Sequence, residues 1–387
     1  MQMSDYSEFS DISPYSDEEA AAALREVADH PYVAEGSKFI FPDQDPGYLG
    51  ELLKSVTSIN EFQTMVMTKL VERVLLTTAH TFSYDGITNL DNMKGRRFLA
   101  LSNHRDIILD PAITQLVLYR NGFPMTEIAV GSNLITNRFI EALIRSNRMI
   151  KVVRGISARE LYMSSQILSK YIRQQITSGE SSIWLAQRQG RTKDGLDMTE
   201  QGLLKMLDMS GTGSFQDNFM ELNIIPLSIS YEYEPCDILK ARELLISRDR
   251  KYVKAEGEDF MSILTGVKQY KGNIHLNIGK PLTREEIAAA ALCDKNDRYQ
   301  LIRHAVDLRV IDGYKLSKNA FIAYDLRNHT RKFRDRYTQE EKEAFVDYMQ
   351  KQLALVEDDL DKNDLKYIFL SIYCNPIVSK QMLQMEV

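Results

Sequence analysis

The stretch Phe98–Ile113 reads FLALSNHRDIILDPAI. Its first letters are a short apolar run of the length of a buried strand. Its last letters open a run with apolar residues at helical spacing through Leu116 and Leu118, until Gly122 and Pro124 stop it. Asp110-Pro111-Ala112 is a helix start written in residue types, with aspartate as N-cap and proline at the first helical position. A strand running into a helix is the first half of a βαβ unit, and His104 falls in the loop between them.

The same alternation continues on the carboxyl side. Glu127–Val130, Met149–Val153, Ser182–Ala186 and Asn223–Tyr231 read as strands. Between them lie helices near 111–121, 134–147, 157–178 and 198–209. Strands alternating with helices predict an α/β fold with a largely parallel central sheet flanked by helices, its chemistry at the carboxyl ends of the strands. Ile274–Ile278 is a further strand. On the amino side, Ser16-Asp17-Glu18-Glu19 starts a capped helix and Asn60–Thr81 has helical spacing; from about 284 onward the chain is again helical, most clearly at Gln339–Met349. The expected organisation is a helical N-terminal region over 1–95, its first ~15 residues disordered, an α/β domain over 96–283, and a helical C-terminal extension over 284–387.

Composition narrows the function. With 387 residues, 44% hydrophobic and 26% charged, the chain is long enough to bury a substantial core. A net charge of −6 argues against nucleic acid as the main partner, although Arg327, Arg331, Lys332, Arg334 and Arg336 form a late basic cluster. Three cysteines without a CxxC pair or nearby histidines predict neither a disulfide framework nor a metal site, and a reducing cytoplasm. The acidic first residues do not read as a signal peptide. The most apolar helical stretch, Phe62–Phe82, carries Lys69, Glu72 and Arg73 in its middle, so it is expected to lie against a membrane or pack inside, not to cross one.

His104-Arg105-Asp106 spells the catalytic-loop triplet of protein kinases, but Pro111 stands where the metal-binding asparagine is needed, and neither a glycine-rich phosphate loop nor DFG accompanies it. A loop histidine with a carboxylate within reach is instead the arrangement of a general base: the carboxylate holds Nδ1–H and Nε2 removes a proton. No GxSxG elbow accompanies it, which points to a nucleophile in the substrate, such as a hydroxyl attacking an acyl thioester.

SNHRDIILDPAI resembles the first block of the glycerolipid acyltransferases, the PlsC-like family of glycerol-3-phosphate and lysophosphatidate acyltransferases, whose signature is N-H, four residues, and D. Further blocks follow in order. Met149–Gly155 is similar to the second and Ile183–Lys193 to the third. The strand Ile224–Ile229 with its internal Pro226 is similar to the fourth. In the third, Arg188 and Gln189 stand where the common form has glutamate and glycine, while Gly190-Arg191 matches the soluble plastid-type glycerol-3-phosphate acyltransferases. The resemblance implies that His104 is the catalytic base, that an aspartate orients it, and that Arg154, Arg191 and Lys193 bind the acceptor phosphate. Asp110 has five residues between it and His104 where the family has four, and Asp106 has one. Asp110 is the favoured partner for its place at the helix start, with Asp106 the alternative.

The implied activity is transfer of a fatty acyl group from acyl carrier protein or coenzyme A, as co-substrate, to a hydroxyl of glycerol 3-phosphate or lysophosphatidate. No bound cofactor or metal is called for. Amides near 110–113 are expected to hold the oxyanion. The cellular place implied is the cytoplasm, peripheral at the inner face of the membrane. The rival readings are a non-catalytic lipid- or acyl-carrier-binding protein of the same fold, and an acyltransferase for an acceptor without phosphate, such as an amino-acid lipid.

Overall fold

The computed structural model describes residues 7–93 and 95–385. Seven strands, β1 (Ala79–Asp85), β2 (Leu99–Ser102), β3 (Glu127–Gly131), β4 (Met149–Val152), β5 (Ile183–Ala186), β6 (Ile224–Tyr231) and β7 (Gly272–Ile278), form one sheet. Their order is β1-β7-β6-β2-β5-β3-β4. From β6 to β4 neighbours are parallel, β7 is antiparallel to β6, and β1 is parallel to β7. The fold is α/β with a largely parallel central sheet, flanked by helices and with helices towards both ends of the chain. Continuous apolar runs are what a strand covered on both faces requires. In β2, Leu99, Ala100 and Leu101 have no exposed surface.

The two faces carry separate cores. Leu99 and Leu101 pack with Ile183, Leu185, Leu204 and Leu207 on one face. Ala100 and Trp184 pack with Leu109, Ile113 and Leu116 on the other. The helix that follows β2 (Leu109–Arg120) thus covers one face and the helix that follows β5 (Gln201–Asp208) the opposite one. Adjacent parallel strands whose connections part to opposite faces leave a crevice at their carboxyl ends, where ligands of open α/β sheets bind.

Several expectations are corrected. The helix expected over Asn60–Thr81 ends at Thr78, after a π turn at Gln63–Met67, and the chain passes directly into β1. As an edge strand, β1 lacks the buried apolar run that betrays the central strands. Of the expected disordered start, residues 1–6 lie outside the described residues. Phe9 and Ile12, by contrast, are buried in the main core, and the Ile12 carbonyl accepts Lys151 N–H on β4. The apolar side of Phe62–Phe82 faces inward through Phe62, Val66, Val71 and Val74, the packing arrangement of the two expected for this stretch. Among the described residues no helix is long and apolar enough to cross a membrane.

The helices Asp237–Asp249 and Glu258–Lys268 occupy a stretch in which no element was expected. The first joins Lys318–Asn328, Gln339–Leu353 and Lys362–Met382 around a third core that includes Phe345, Leu365 and Phe369. Residues 284–312 pack on the sheet instead, through Ile287, Tyr299 and Val306. The late basic residues serve this third core: Arg334 donates to the Tyr337 carbonyl, Lys332 lies over Phe333, and Arg336 lies over Phe321.

Candidate active site

At the end of β2 the backbone is held from both sides. Gln187 N–H donates to the Ser102 carbonyl, and Thr192 N–H donates to the His104 carbonyl at 2.7 Å. The Asn103 side chain bridges to β6, donating to the Ile229 carbonyl and accepting Ile229 N–H. His104 is thereby fixed at the mouth of the crevice, with 14% of its side chain exposed. Its Nδ1–H donates to Asp110 Oδ2 at 2.9 Å. Nε2 has no hydrogen-bond partner among the described residues.

Asp110 is therefore the carboxylate that meets His104, but not as an N-cap. The helix begins at Leu109, before Asp110. Asp106 performs the capping, its Oδ1 accepting Ile108 N–H at 2.9 Å and Leu109 N–H at 2.8 Å. Asp110, in the first turn, folds back over the loop and accepts Arg105 N–H and Asp106 N–H on the same Oδ2 that meets His104. Its Oδ1 accepts the Tyr231 hydroxyl at 2.7 Å. Burial and the neighbouring Asp110 charge push the Asp106 carboxyl above its ordinary range. The approach is close enough that a Cβ at Gly266 would collide with Asp106 Oδ2.

The same pattern limits the expected oxyanion hole. Pro111 has no N–H, and Ala112 N–H donates to the Ile108 carbonyl. Among the described residues, Asp110 N–H makes no hydrogen bond to another loop group.

Arg105, the middle residue of the kinase-like triplet, is buried and structural. Its guanidinium donates to Asp197 Oδ2 from Nε and Nη2, to the Gly195 carbonyl, and to Glu234. Lys240 joins from the far side, donating to Glu234 and to the Arg105 carbonyl. Although burial opposes its charge, the Arg105 guanidinium and the Tyr314 and Asn103 side chains hold Asp197 below the usual carboxylate range. This network pins the β5 loop to the β2 loop.

The expected phosphate-binding residues divide. Arg154 follows β4, its N–H bonded to Ser132 Oγ and its guanidinium lying against Gly131. Burial lowers its pKa, and the charged groups it feels are Asp259 and Glu200. The Arg191 charge also acts on Asp259, and on Asp106 in the His104 loop, so both arginines share Asp259 as a charged neighbour. Lys193 does not join them in the same way, because its ammonium is already paired with Glu243 on the helix Asp237–Asp249.

The segment from β5 onward holds a feature with no local signature. Trp184 Nε1, Gln187 Nε2, Arg188 Nε and Arg191 Nη1 are buried N–H donors without a hydrogen-bond partner in the protein. Such groups are rare, because each leaves a desolvation cost of about 1–3 kcal/mol uncompensated unless water or a ligand supplies an acceptor. Trp184 also meets the His104 ring edge to face, with centroids 5.6 Å apart. On the other side of the loop lies an apolar cleft. Ile108 and Pro111 stand on its wall with Leu116, Val71, Met125 and Met149, while Gln63 and Asn147, hydrogen-bonded to each other, are polar parts of the lining.

Among the described residues, no group of three or more His, Cys, Asp or Glu side chains is arranged to hold a metal ion. Tyr231, Asp197 and Glu234 were not singled out from the sequence. Each acts across 90 or more residues of chain, where periodicity and spacing give no signal. No protein-family model matches this chain, and no curated protein matches it.

Proposed function

We propose that the protein is an acyltransferase, moving a fatty acyl group from a thioester on acyl carrier protein or coenzyme A to a hydroxyl of glycerol 3-phosphate or lysophosphatidate. One observation carries this reading: a histidine held by a carboxylate follows β2 in a loop whose Ile108 lines an apolar cleft, and the neighbouring strand β5 runs into a segment with buried N–H donors that lack protein acceptors. The apolar lining of the cleft matches an acyl chain in chemistry, and the cleft must open to admit one. The donors, with Arg154 and Arg191, suit an anionic acceptor, since guanidinium groups bind phosphate through paired charge-assisted hydrogen bonds. The ordered motifs around His104, Arg154, Arg191 and Pro226 support the same assignment.

In this mechanism Asp110 fixes the imidazole tautomer through Nδ1–H. Nε2 accepts the proton of the acceptor hydroxyl as its oxygen bonds to the thioester carbonyl carbon. The tetrahedral intermediate then collapses with cleavage of the C–S bond, and the imidazolium returns the proton to the departing thiolate. Asp110 stabilises the imidazolium throughout.

The site of action follows from the substrates. We place the protein in the cytoplasm, peripheral at the inner face of a membrane. The contact is through exposed apolar residues on elements near the crevice, Leu161, Tyr162 and Met163 after Arg154 and Phe260 and Met261 beside Asp259, because the Phe62–Phe82 face is already covered.

The deciding experiment offers purified protein glycerol 3-phosphate, lysophosphatidate and an acyl-accepting amino-acid lipid, each with acyl-carrier and coenzyme A thioesters. Transfer to a phosphate acceptor that falls by about 10²–10⁴ in His104→Ala is expected. Binding of acyl thioester without turnover on any acceptor would favour a carrier role instead.

A further inference from the structure

The bonding of Asp110 is divided unevenly between its two oxygens. Oδ2 accepts three donors, His104 Nδ1–H and the N–H groups of Arg105 and Asp106. Oδ1 accepts the Tyr231 hydroxyl. Three donors fix where Oδ2 sits, but they do not by themselves fix the rotation of the carboxylate plane about that point. A hydrogen bond to a carboxylate is best when the proton lies near the plane of the group, so that rotation sets how well Oδ2 meets His104. Tyr231 fixes it from the adjacent strand.

Tyr231 is suited to the task. It is the last residue of β6, buried with 9% exposure, and its ring packs in the core of the helix that carries Asp110. Burial and the nearby Asp110 and Asp106 carboxylates hold its hydroxyl far above the usual phenol range, so it stays a donor. The charged groups that face it are Asp110 from the helix start, Asp106 from the loop after β2, Glu234 beyond β6, and Arg105 and Lys315, which line the same small cavity.

We propose that Tyr231 is a positioning residue for the His104–Asp110 pair, setting the plane of the Asp110 carboxylate through its hydroxyl and so the direction in which Nε2 of His104 is presented. For its effect on rate, this role rests on the acyl-transfer reading. Its geometric content does not.

The test is Tyr231→Phe, which keeps the ring and removes only the hydroxyl. A second variant carries 3-fluorotyrosine at 231, which keeps the fold and strengthens the donor. Two readouts are used. The first is the proton resonance of His104 Nδ1–H, observed without substrate and assigned by its loss in His104→Ala. It is expected to shift and exchange faster with water in Tyr231→Phe and to shift in the opposite direction in the fluorinated protein. The second is the rate profile. The expected kcat of Tyr231→Phe is about tenfold lower, equivalent to 1.36 kcal/mol, with KM for the acceptor unchanged and the acid limb of the pH profile displaced. A resonance and an acid limb that stay in place in both variants overturn the proposal, whatever happens to stability. If the unsubstituted protein acylates no acceptor, the acyl-transfer reading falls, while the resonance still decides the role of Tyr231.

Discussion

The loops after β2 and β5 leave neighbouring strands at the same end of the sheet, yet the stretch that enters the β5 loop treats its polar groups unlike the β2 loop. In the β2 loop the side chains of Asn103, Arg105, Asp106 and Asp110 all find partners within the protein. In the segment that leads into the β5 loop, four buried N–H donors between Trp184 and Arg191 find none. A pre-organised group that must hold one orientation is served by full satisfaction, whereas a surface that receives a polar ligand must keep donors in reserve and bear their desolvation when empty. The proposed acyl transfer assigns chemistry to the first loop and binding to the second.

That contrast can be broken most directly at His104 and its two candidate carboxylates. Asp110→Asn should reduce acyl transfer by two orders of magnitude or more. Asp106→Asn should leave most of the rate, since an asparagine oxygen can still accept the Ile108 and Leu109 amides. Comparable losses in both variants would remove the distinction between partner and cap.

Arginine supplies a matched pair. Arg105→Met leaves Asp197 and Glu234 short of a buried partner and is expected to destabilise the fold by about 3–5 kcal/mol, read as a fall in the urea midpoint. Arg191→Met removes a guanidinium with an orphaned donor, so stability should hold or rise by about 1 kcal/mol. Its KM for a phosphate acceptor should rise about tenfold or more, with kcat little changed. Equal destabilisation by the two substitutions would mean that the loops are not different in kind. Gly266→Ala probes the support beneath the β2 loop. The added Cβ meets Asp106, and a loss of about 1–3 kcal/mol is expected from overpacking.

Glu127 offers the smallest test, away from both loops. Burial raises its carboxyl to about 7, with the Tyr171 hydroxyl and Arg148 opposing. A carboxyl whose folded pKa is raised contributes stability below its unfolded value, and that contribution is lost as pH rises through the folded one. Stability should therefore fall between about pH 4.5 and 7, by at most about 3 kcal/mol. Glu127→Gln should flatten that slope while leaving the His104 site alone.

Much of this was legible from residue order, and the reasons differ from place to place. His104 could be assigned to a loop because Phe98–Ser102 and Ile113–Leu118 carry strand and helix patterns on either side. Arg154 and Arg191 could be expected in one crevice because both follow strands of a sheet whose parallel direction the alternation implies. Lys193 looked equivalent to them, but its pairing with Glu243 depends on a helix fifty positions later. The edge strand β1 was hidden by the helical period running into it and by the absence of a buried run.

The sequence by itself determined what depends on near neighbours: the alternation of strands and helices, the largely parallel sheet, and the place of His104 at a strand's end. Periodicity and turn chemistry act over a few residues, so they can be read there. Only the tertiary structure decided which aspartate meets His104, because a loop leaves both within reach until the helix start and the Tyr231 hydroxyl fix the carboxylate. Side-chain hydrogen bonds are short and directional, and their partners are brought together by the packing of distant strands.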